Sequence, residues 1–364
     1  MTTASSLLNE GLKKVEQGDR EGAIELWTQA IAMDGTLVKA YTNRGTAKAA
    51  INDIDGALAD FDKALALDEN NADGYLGRAN IFARQKHHNK AVTEFDKLIA
   101  AHPNDGTAYY SRGNSHMVIA MERMMSLQQL PPEALKKIPK MFHPRTLSEK
   151  STQNALADFT KAIELIPDLA SAYSNRANIH MQMKKPQDAL KDITKAIELE
   201  PDSADYFKNR GSVYVGMRQA EPALKDYEMA LKLNPKMGEV WSLKGTMLHM
   251  LERNQEAIDA YNKALELEPQ NLGNLMNRGI AYRHLGEHQK AISDLNGFAS
   301  KAGKRIPPQF YRNRGNVHEA LENKDQAVHD YETYLKMGGG RHFGDQAEIE
   351  AKLKTLKKPK WKIW

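Results

Sequence analysis

The chain has 364 residues and a net charge of +4, and its 41% hydrophobic and 27% charged residues are typical of a folded globular protein. It has no apolar run near the roughly 18 residues needed to cross a bilayer and no secretory signal pattern, so the sequence predicts a cytoplasmic protein. The absence of cysteine excludes disulfides, thiolate zinc sites and cysteine nucleophiles.

One helical pattern recurs along almost the whole chain. The segments "GALADFDKALALD", "DALKDITKAIELEP" and seven others share an alanine, and these nine alanines lie 34 residues apart except for one gap of 64 and one of 36. A preceding helix carries glycine or alanine at a fixed place, such as Gly211, and a large side chain such as Tyr227 follows the shared alanine by four residues. A small residue opposite a large one predicts that the two helices pack closely.

These features resemble the tetratricopeptide repeat, which has a period of 34 residues, a small residue at repeat position 8, alanine at position 20, an aromatic residue at 24 and proline at 32. The resemblance implies an all-α fold in which antiparallel helix pairs stack into a right-handed superhelical solenoid. It also implies a concave groove, lined by the first helix of each pair, that binds a partner protein or an extended peptide.

In chain order, we predict nine repeats followed by a capping helix and a basic aromatic tail in 338–364. The repeats span 4–37, 38–71, 72–105, 106–169, 170–203, 204–237, 238–271, 272–307 and 308–337. The fourth repeat is interrupted by 30 extra residues within about 119–154. They predict an extended first helix that ends near Leu127, a short helix at "PPEALKK", and a loop through "FHPRT".

The insertion is rich in apolar side chains, which is unusual for a surface loop. They are Met121, Met124, Met125, Met141 and Phe142. We predict that they pack into the superhelix as a plug. The alternative is a partner site with a basic rim, formed by Lys136, Lys137, Lys140 and Arg145.

The C-terminal segment concentrates the positive charge, since the last 13 residues carry six lysines and no acid. After the glycines at 338–340, a helix from about Asp345 is predicted to cap the array. The tail residues that could contact an acidic partner, a membrane surface or a nucleic acid are Lys358, Lys360, Trp361, Lys362 and Trp364. A solvated terminus is the default interpretation, and the rest of the chain gives no reason to expect nucleic-acid or membrane binding.

An arginine at repeat position 7 and an acid at position 23 occur together in seven repeats. The predicted pairs are Arg44 with Asp60, Arg78 with Glu94, Arg112 with Asp158, Arg176 with Asp192, Arg210 with Asp226, Arg278 with Asp294, and Arg314 with Asp330. The two repeats without the arginine, which carry Glu10 and Lys244, have Leu26 and Ala260 in place of the acid. This co-occurrence predicts an ion pair inside each repeat, so the arginine belongs to the scaffold and does not bind a ligand.

Asparagines predominate at the positions that face the groove in the family. They are Asn43, Asn175, Asn209, Asn277 and Asn313 at position 6, and Asn80, Asn114, Asn178 and Asn316 at position 9. An amide both donates and accepts hydrogen bonds, so a row of amides can hold the backbone of an extended peptide. Met181 and Met276 lie between them as adaptable apolar contacts. The alternative is that these amides bond to the neighbouring backbone.

The spacing of basic residues and asparagines does not match the carboxylate clamp by which some tetratricopeptide domains capture chaperone C-termini. That clamp needs lysine at position 5 and asparagine at position 9 of one repeat, and asparagine at position 6 of the next. Lys208 stands at position 5, but it is followed by Ser212 and Leu243 at the other two positions. We therefore do not expect chaperone-tail binding. Neither a metal site, a cofactor nor catalytic residues are predicted, and we expect a non-catalytic interaction scaffold. The alternative is an assembly factor or chaperone-like protein that shields a client and uses its basic tail.

Overall fold

The computed structural model describes residues 3–139, 141, 143–303 and 306–357. Helix is the regular secondary structure throughout these residues, which form twenty-one helices and contain no strand. The chain divides between Leu199 and Glu200 into two compact units, an N-terminal and a C-terminal unit. The expected all-α class is therefore confirmed.

The N-terminal unit consists of five helix pairs that correspond to the first five predicted repeats. Its helices are α1 Ala4–Glu16, α2 Arg20–Met33, α3 Val38–Ala50, α4 Ile54–Leu67, α5 Ala72–Arg84, α6 His88–Ala101, α7 Gly106–Gln129, α8 Pro132–Lys137, α9 Pro144–Leu165, α10 Ala170–Gln182 and α11 Pro186–Leu199. The short helix α8 lies between the two helices of the fourth pair.

The C-terminal unit consists of four helix pairs and two further helices. Its helices are α12 Ala204–Gly216, α13 Ala220–Leu233, α14 Gly238–Met250, α15 Asn254–Leu267, α16 Leu272–His284, α17 His288–Ala302, α18 Pro308–Ala320, α19 Lys324–Lys336, α20 Gly339–Phe343 and α21 Gln346–Leu356. In the sixth and seventh repeats the second helix ends where the sequence predicts, since α13 and α15 end two residues before Pro235 and Pro269.

Each pair is held by the predicted contact of a large side chain with a small one. The Tyr227 ring is fully buried against Gly211, where an added Cβ would lie 2.5 Å from the ring. The same holds for Tyr261 and Gly245, where the distance is 2.7 Å. Glycine is therefore required here because the two helices approach too closely for any side chain.

The turn inside each regular pair uses one left-handed residue at repeat position 15. Six of these residues are not glycine and have φ between 58° and 68°: Asn52, Lys86, Lys184, Arg218, Glu252 and Glu322. The other two turns place Gly18 and Gly286 there. A non-glycine residue in this conformation is strained by about 1–2 kcal/mol, so the surrounding helix packing determines the turn.

The insertion in the fourth repeat extends both helices of the pair. α7 continues to Gln129, close to the expected end, but α9 already begins at Pro144. The predicted loop through "FHPRT" is therefore wrong, because Pro144 occupies the first turn of a helix whose cap is His143. The two extensions bond to each other, since Ser148 donates to the Ala120 carbonyl at 2.9 Å and Arg123 donates to the Leu147 carbonyl at 2.9 Å.

The last helix packs on the ninth pair, close to where the capping helix is expected. Ile349 and Leu353 of α21 are buried beside Tyr331 and Tyr334 of α19. The short helix α20, between left-handed Gly338 and Gly344, precedes α21 and is not anticipated by the sequence. α21 thus covers apolar surface that the ninth pair would otherwise expose to water.

Candidate functional site

The recurring arginine grips the acid of its own repeat with both arms of its guanidinium. Arg176 donates from Nε to Asp192 Oδ2 at 2.7 Å and from Nη2 to Oδ1 at 2.8 Å. This hydrogen bonding raises the pKa of Arg176 above its ordinary value, and the Asp192 carboxylate is buried. Such contacts join Arg44 to Asp60, Arg112 to Asp158, Arg210 to Asp226, Arg278 to Asp294 and Arg314 to Asp330. Arg78 pairs with Glu94 through a single hydrogen bond, from Nη2 to Oε1 at 3.2 Å.

Six of these arginines also bond to the preceding repeat, which the sequence interpretation missed. The Nη1 of Arg112 donates to Asp96 at 2.6 Å, and the Nη1 of Arg278 donates to Asn262 at 2.7 Å. These acceptors all lie at repeat position 25, where the sequence has a polar residue, and that is the signal that could have predicted the contact. Lys244, which lacks an acid in its own repeat, makes the equivalent bond to Glu228 at 3.1 Å. The guanidinium groups of these arginines are thus held by acceptors of the scaffold.

In the N-terminal unit, three of the expected groove asparagines are available for a ligand. Asn80 and Asn178 are exposed and Asn43 is half-buried, and no hydrogen bond within the described residues engages their side chains. The alternative of bonding to neighbouring backbone therefore does not apply to them. Asn175 instead donates to Asn114 Oδ1 at 2.8 Å, which links the fourth and fifth repeats.

In the C-terminal unit, the expected asparagines differ more. Asn209 and Asn277 are half-buried. Asn313 is buried with 7% exposure, and Asn316 accepts from the Tyr331 hydroxyl at 2.8 Å and from Lys352 of α21 at 3.1 Å. The prediction that Asn313 and Asn316 face an open groove is wrong, because Asn313 is buried and Asn316 is bonded by Tyr331 and by Lys352 of α21.

The two groove methionines are half-buried. Met276 packs against the apolar cluster around Phe298 and Phe310, so part of its side chain belongs to the core. Met181 lies at the C-terminal end of α10, three residues after exposed Asn178. Adaptable apolar surface therefore accompanies an unengaged amide in the fifth repeat.

A pocket of about 660 Å³ lies between the first helices of the second and third repeats. Asn43 and Thr46 of α3 line one side and Asn80 of α5 lines the other, while Leu76 and Ile81 contribute apolar surface. The third repeat has Gly77 at position 6, where six other repeats have asparagine. A Cβ at this glycine would overlap the Phe61 ring, so position 77 contributes no side chain to the pocket.

The insertion methionines do not pack into the array. Met121, Met124, Met125 and Met141 are between 46% and 68% exposed. The predicted plug is therefore wrong for these four side chains. Met121, Met124 and Met125 lie on α7, which extends beyond the regular pair, and Met141 lies between α8 and α9. Lys136, Lys137 and Arg145 are also exposed. Phe142 and Lys140 lie outside the described residues.

Two histidines with potentially reactive side chains lie against the ion pairs of the scaffold. His116 and His180 lie beside the paired acids, with Nε2 4.0 Å from Asp158 and 3.6 Å from Asp192. Burial lowers the pKa of His116 below its ordinary value. Across the described ranges, the acidic and histidine side chains form no group of three or more that could hold a metal ion. None of the described helices combines the length and apolar character needed to span a membrane.

The predicted tail contacts cannot be placed. Lys358, Lys360, Trp361, Lys362 and Trp364 lie outside the described residues. Contact with a membrane surface or a nucleic acid through the tail stays a prediction.

The paired helices define an all-α helical-repeat protein. Models of the tetratricopeptide repeat match residues 8–72, 48–111, 170–203 and 238–271. The chain thus contains tetratricopeptide repeats over these residues, as its repeat signature predicts. No curated protein sequence matches it significantly.

Several solved structures are similar to this chain. A tetratricopeptide-repeat protein from Parabacteroides merdae is 17% identical, with 76% of this chain and 98% of that chain covered and a TM-score of 0.50. YrrB, a tetratricopeptide-repeat protein with an unusual peptide-binding site, is 22% identical over 62% of this chain and 97% of that chain, with a TM-score of 0.44. Pseudomonas aeruginosa pilF is 17% identical over 65% and 97%, with a TM-score of 0.49. At such identities the similarity to the P. merdae protein shows the fold alone.

Proposed function

We propose that this protein is a non-catalytic interaction scaffold that binds an extended peptide segment of a partner protein on the first helices of its N-terminal unit. Proteins of this family generally act through protein or peptide partners and are generally not catalytic. The observation that carries the proposal is the pocket between α3 and α5, which is flanked by unengaged amides. A cytoplasmic location stays a prediction.

The pocket has the chemistry of a peptide side-chain site. Leu76 and Ile81 provide apolar surface, and its volume of about 660 Å³ exceeds that of any single side chain. Asn43 and Asn80 are placed to hydrogen-bond the peptide backbone on either side. One apolar peptide residue would therefore enter the hollow while its own amide groups bond to the two asparagines.

Charged side chains at the two ends of α5 define a polarity for the peptide. Asp73 lies in the first turn and Arg84 in the last turn, and both line the pocket. They are about 16 Å apart along the helix axis, since a helix rises about 1.5 Å per residue. We expect a basic residue of the peptide near Asp73 and an acidic residue near Arg84.

The test is selection of peptides from a random displayed library on the wild-type protein, followed by binding measurements on variants. We expect the selected peptides to share one apolar residue. Thr46→Phe should fill the hollow from its exposed rim and weaken binding by about tenfold or more, and Asn80→Ala should weaken it by about fivefold. Asn89→Ala, on exposed surface of the second helix α6, is the matched control and should have no effect.

Melting curves by circular dichroism should be unchanged in all three variants, because Thr46, Asn80 and Asn89 are exposed. Failure to enrich any peptide, or selected peptides that bind Thr46→Phe as tightly as the wild type, would refute the proposed site.

A further inference from the structure

The C-terminal unit carries a cluster of cationic and imidazole side chains on three successive first helices. Arg283 and His284 end α16, and Arg283 Nη2 lies 2.7 Å from His284 Nε2. The His284 ring packs edge-on against His249 of α14, with ring centroids 4.9 Å apart. Arg312 of α18 lies near enough to Arg283 to lower its pKa by charge repulsion. The cluster is therefore built from the seventh, eighth and ninth repeats.

Arg283 differs from the paired arginines because it has no acid. Its Nε is buried without a hydrogen-bond partner, and no carboxylate of the described residues forms an ion pair with it. Burial first, and then the charge of Arg312, lowers the pKa of Arg283 below its ordinary value. A partly buried guanidinium beside a second one is costly, and an anion would relieve both the desolvation and the repulsion.

The charges that surround the imidazoles leave the cluster positive. Glu252, on the turn after α14, is the acid that raises the pKa of His284, but partial burial, Arg283 and His249 lower it more. His249 Nδ1 lies 2.6 Å from Asn254 Oδ1. On α18, Arg312 is already neutralised by Asp345 at 2.7 Å. Arg283 thus keeps an uncompensated charge, and His284 accepts its hydrogen bond as a neutral imidazole.

We infer that Arg283, His284 and His249 form an anion site for a carboxylate side chain of an acidic peptide. The planar guanidinium of Arg283 presents two parallel donors to a carboxylate. When the carboxylate replaces His284 as the partner of Arg283, the imidazole takes up a proton and becomes a second donor. The inference rests on the proposed function only in that the ligand is a peptide, since the site lies in the other unit.

The sign of the pH dependence follows from this proton uptake. The pKa of His284 is lowered in the free protein, and a bound carboxylate favours the imidazolium and raises it. Binding therefore takes up a proton, so the affinity should increase as the pH falls from about 7.5 to about 5.5, where glutamate stays ionised.

The test uses fluorescein-labelled octaglutamate, with labelled octaglutamine as the neutral control, and fluorescence anisotropy as the readout. The lysines of 352–364 also attract an acidic probe, so the comparison between variants of the full chain carries the test. Arg283→Gln should weaken octaglutamate binding by about tenfold. Arg218→Gln makes the same change of charge at an exposed turn and should change binding by less than about twofold.

His284→Gln should remove the gain in affinity at the lower pH while leaving part of the binding at the higher pH. Thr46→Phe should bind octaglutamate as the wild type does, so a failure of this site is distinguishable from a failure of the pocket between α3 and α5. Equal binding by Arg283→Gln and the wild type, or equal binding of octaglutamine, would overturn the inference.

Discussion

The third and ninth repeats carry the same signature on their first helices but present it differently. Asn80 and Asn316 both occupy repeat position 9. Asn80 is exposed beside a pocket and has no partner among the described residues, while Asn316 accepts two hydrogen bonds, one of them from α21. The difference teaches that the repeat sequence decides where an amide points, whereas the element packed over it decides whether a ligand can reach it.

The largest expected effect comes from loosening α21, which distinguishes the ninth repeat from the third. Ile349 is 1% exposed, so Ile349→Ala should lower the free energy of unfolding of the C-terminal unit by about 2–4 kcal/mol through lost burial and a cavity. Urea unfolding followed by circular dichroism measures this. Exposed Lys354→Ala on the same helix is the control. An unchanged unfolding midpoint for Ile349→Ala would show that α21 does not cap the unit.

The next effect tests the ion pair between the two helices of the ninth repeat, which has its counterpart in the third repeat. Asp330 is buried and paired with Arg314 at 2.7 Å. Arg314→Ala should therefore cost about 2–3 kcal/mol of stability by leaving a buried carboxylate unpaired. In a double-mutant cycle with Asp330→Ala, we expect a coupling energy of about 1–2 kcal/mol. Strict additivity of the two substitutions would argue against the pair as a structural element.

The same substitution at Asn316 and Asn80 compares the two repeats directly. Asn316→Ala should destabilise the protein by about 1 kcal/mol, because Lys352 and Tyr331 each lose an acceptor in a partly buried network. Asn80→Ala should change the unfolding free energy by less than about 0.5 kcal/mol, since its amide is exposed. Equal effects in the two variants would remove the distinction between a covered and an open amide.

The smallest effect concerns the turn between the two helices of a repeat. The third and ninth repeats, like most others, have a left-handed residue that is not glycine in this turn. Lys184 adopts a φ of 58° at repeat position 15, and Lys184→Gly should stabilise the N-terminal unit by about 0.5–1 kcal/mol by relieving strain. Thermal unfolding measures the gain. Lys185→Gly, at the neighbouring position with negative φ, is the control and should stabilise nothing. Destabilisation by Lys184→Gly would mean that its side chain supports the turn.

Periodicity explains what could be predicted from the sequence. Nine copies of one pattern fix the helix pairs, the contact between Tyr227 and Gly211, and the pairing of Arg176 with Asp192, because each feature depends on a spacing within one repeat. Asn313 and Asn316 were expected in an open groove because their repeat position said so. The bond from Lys352 to Asn316 depends on α21, which belongs to no repeat, so the pattern carries no information about it.

The structure at positions that depart from the pattern is less predictable from the sequence. Pro144 was predicted to lie in a loop, but proline also fits the first turn of a helix, and packing against α7 favours that outcome. Gly77 was visible as a glycine where other repeats have asparagine. Its consequence, a hollow between α3 and α5, required the position of the Phe61 ring, which single-repeat spacing does not give.

The bond from the Nη1 group of the recurring arginine to the preceding repeat has a consequence for unfolding. Because Arg112 bonds to Asp158 in its own repeat and to Asp96 in the one before, loss of either helix pair removes a bond from its neighbour. Nearest-neighbour bonds of this kind make unfolding cooperative, so several repeats melt as one block and single repeats do not fray. Lys244 pairs with Glu228 through a single ammonium group, whereas the other repeats of the C-terminal unit have an arginine guanidinium at this position. Within the C-terminal unit, that junction is where such a block would most easily end.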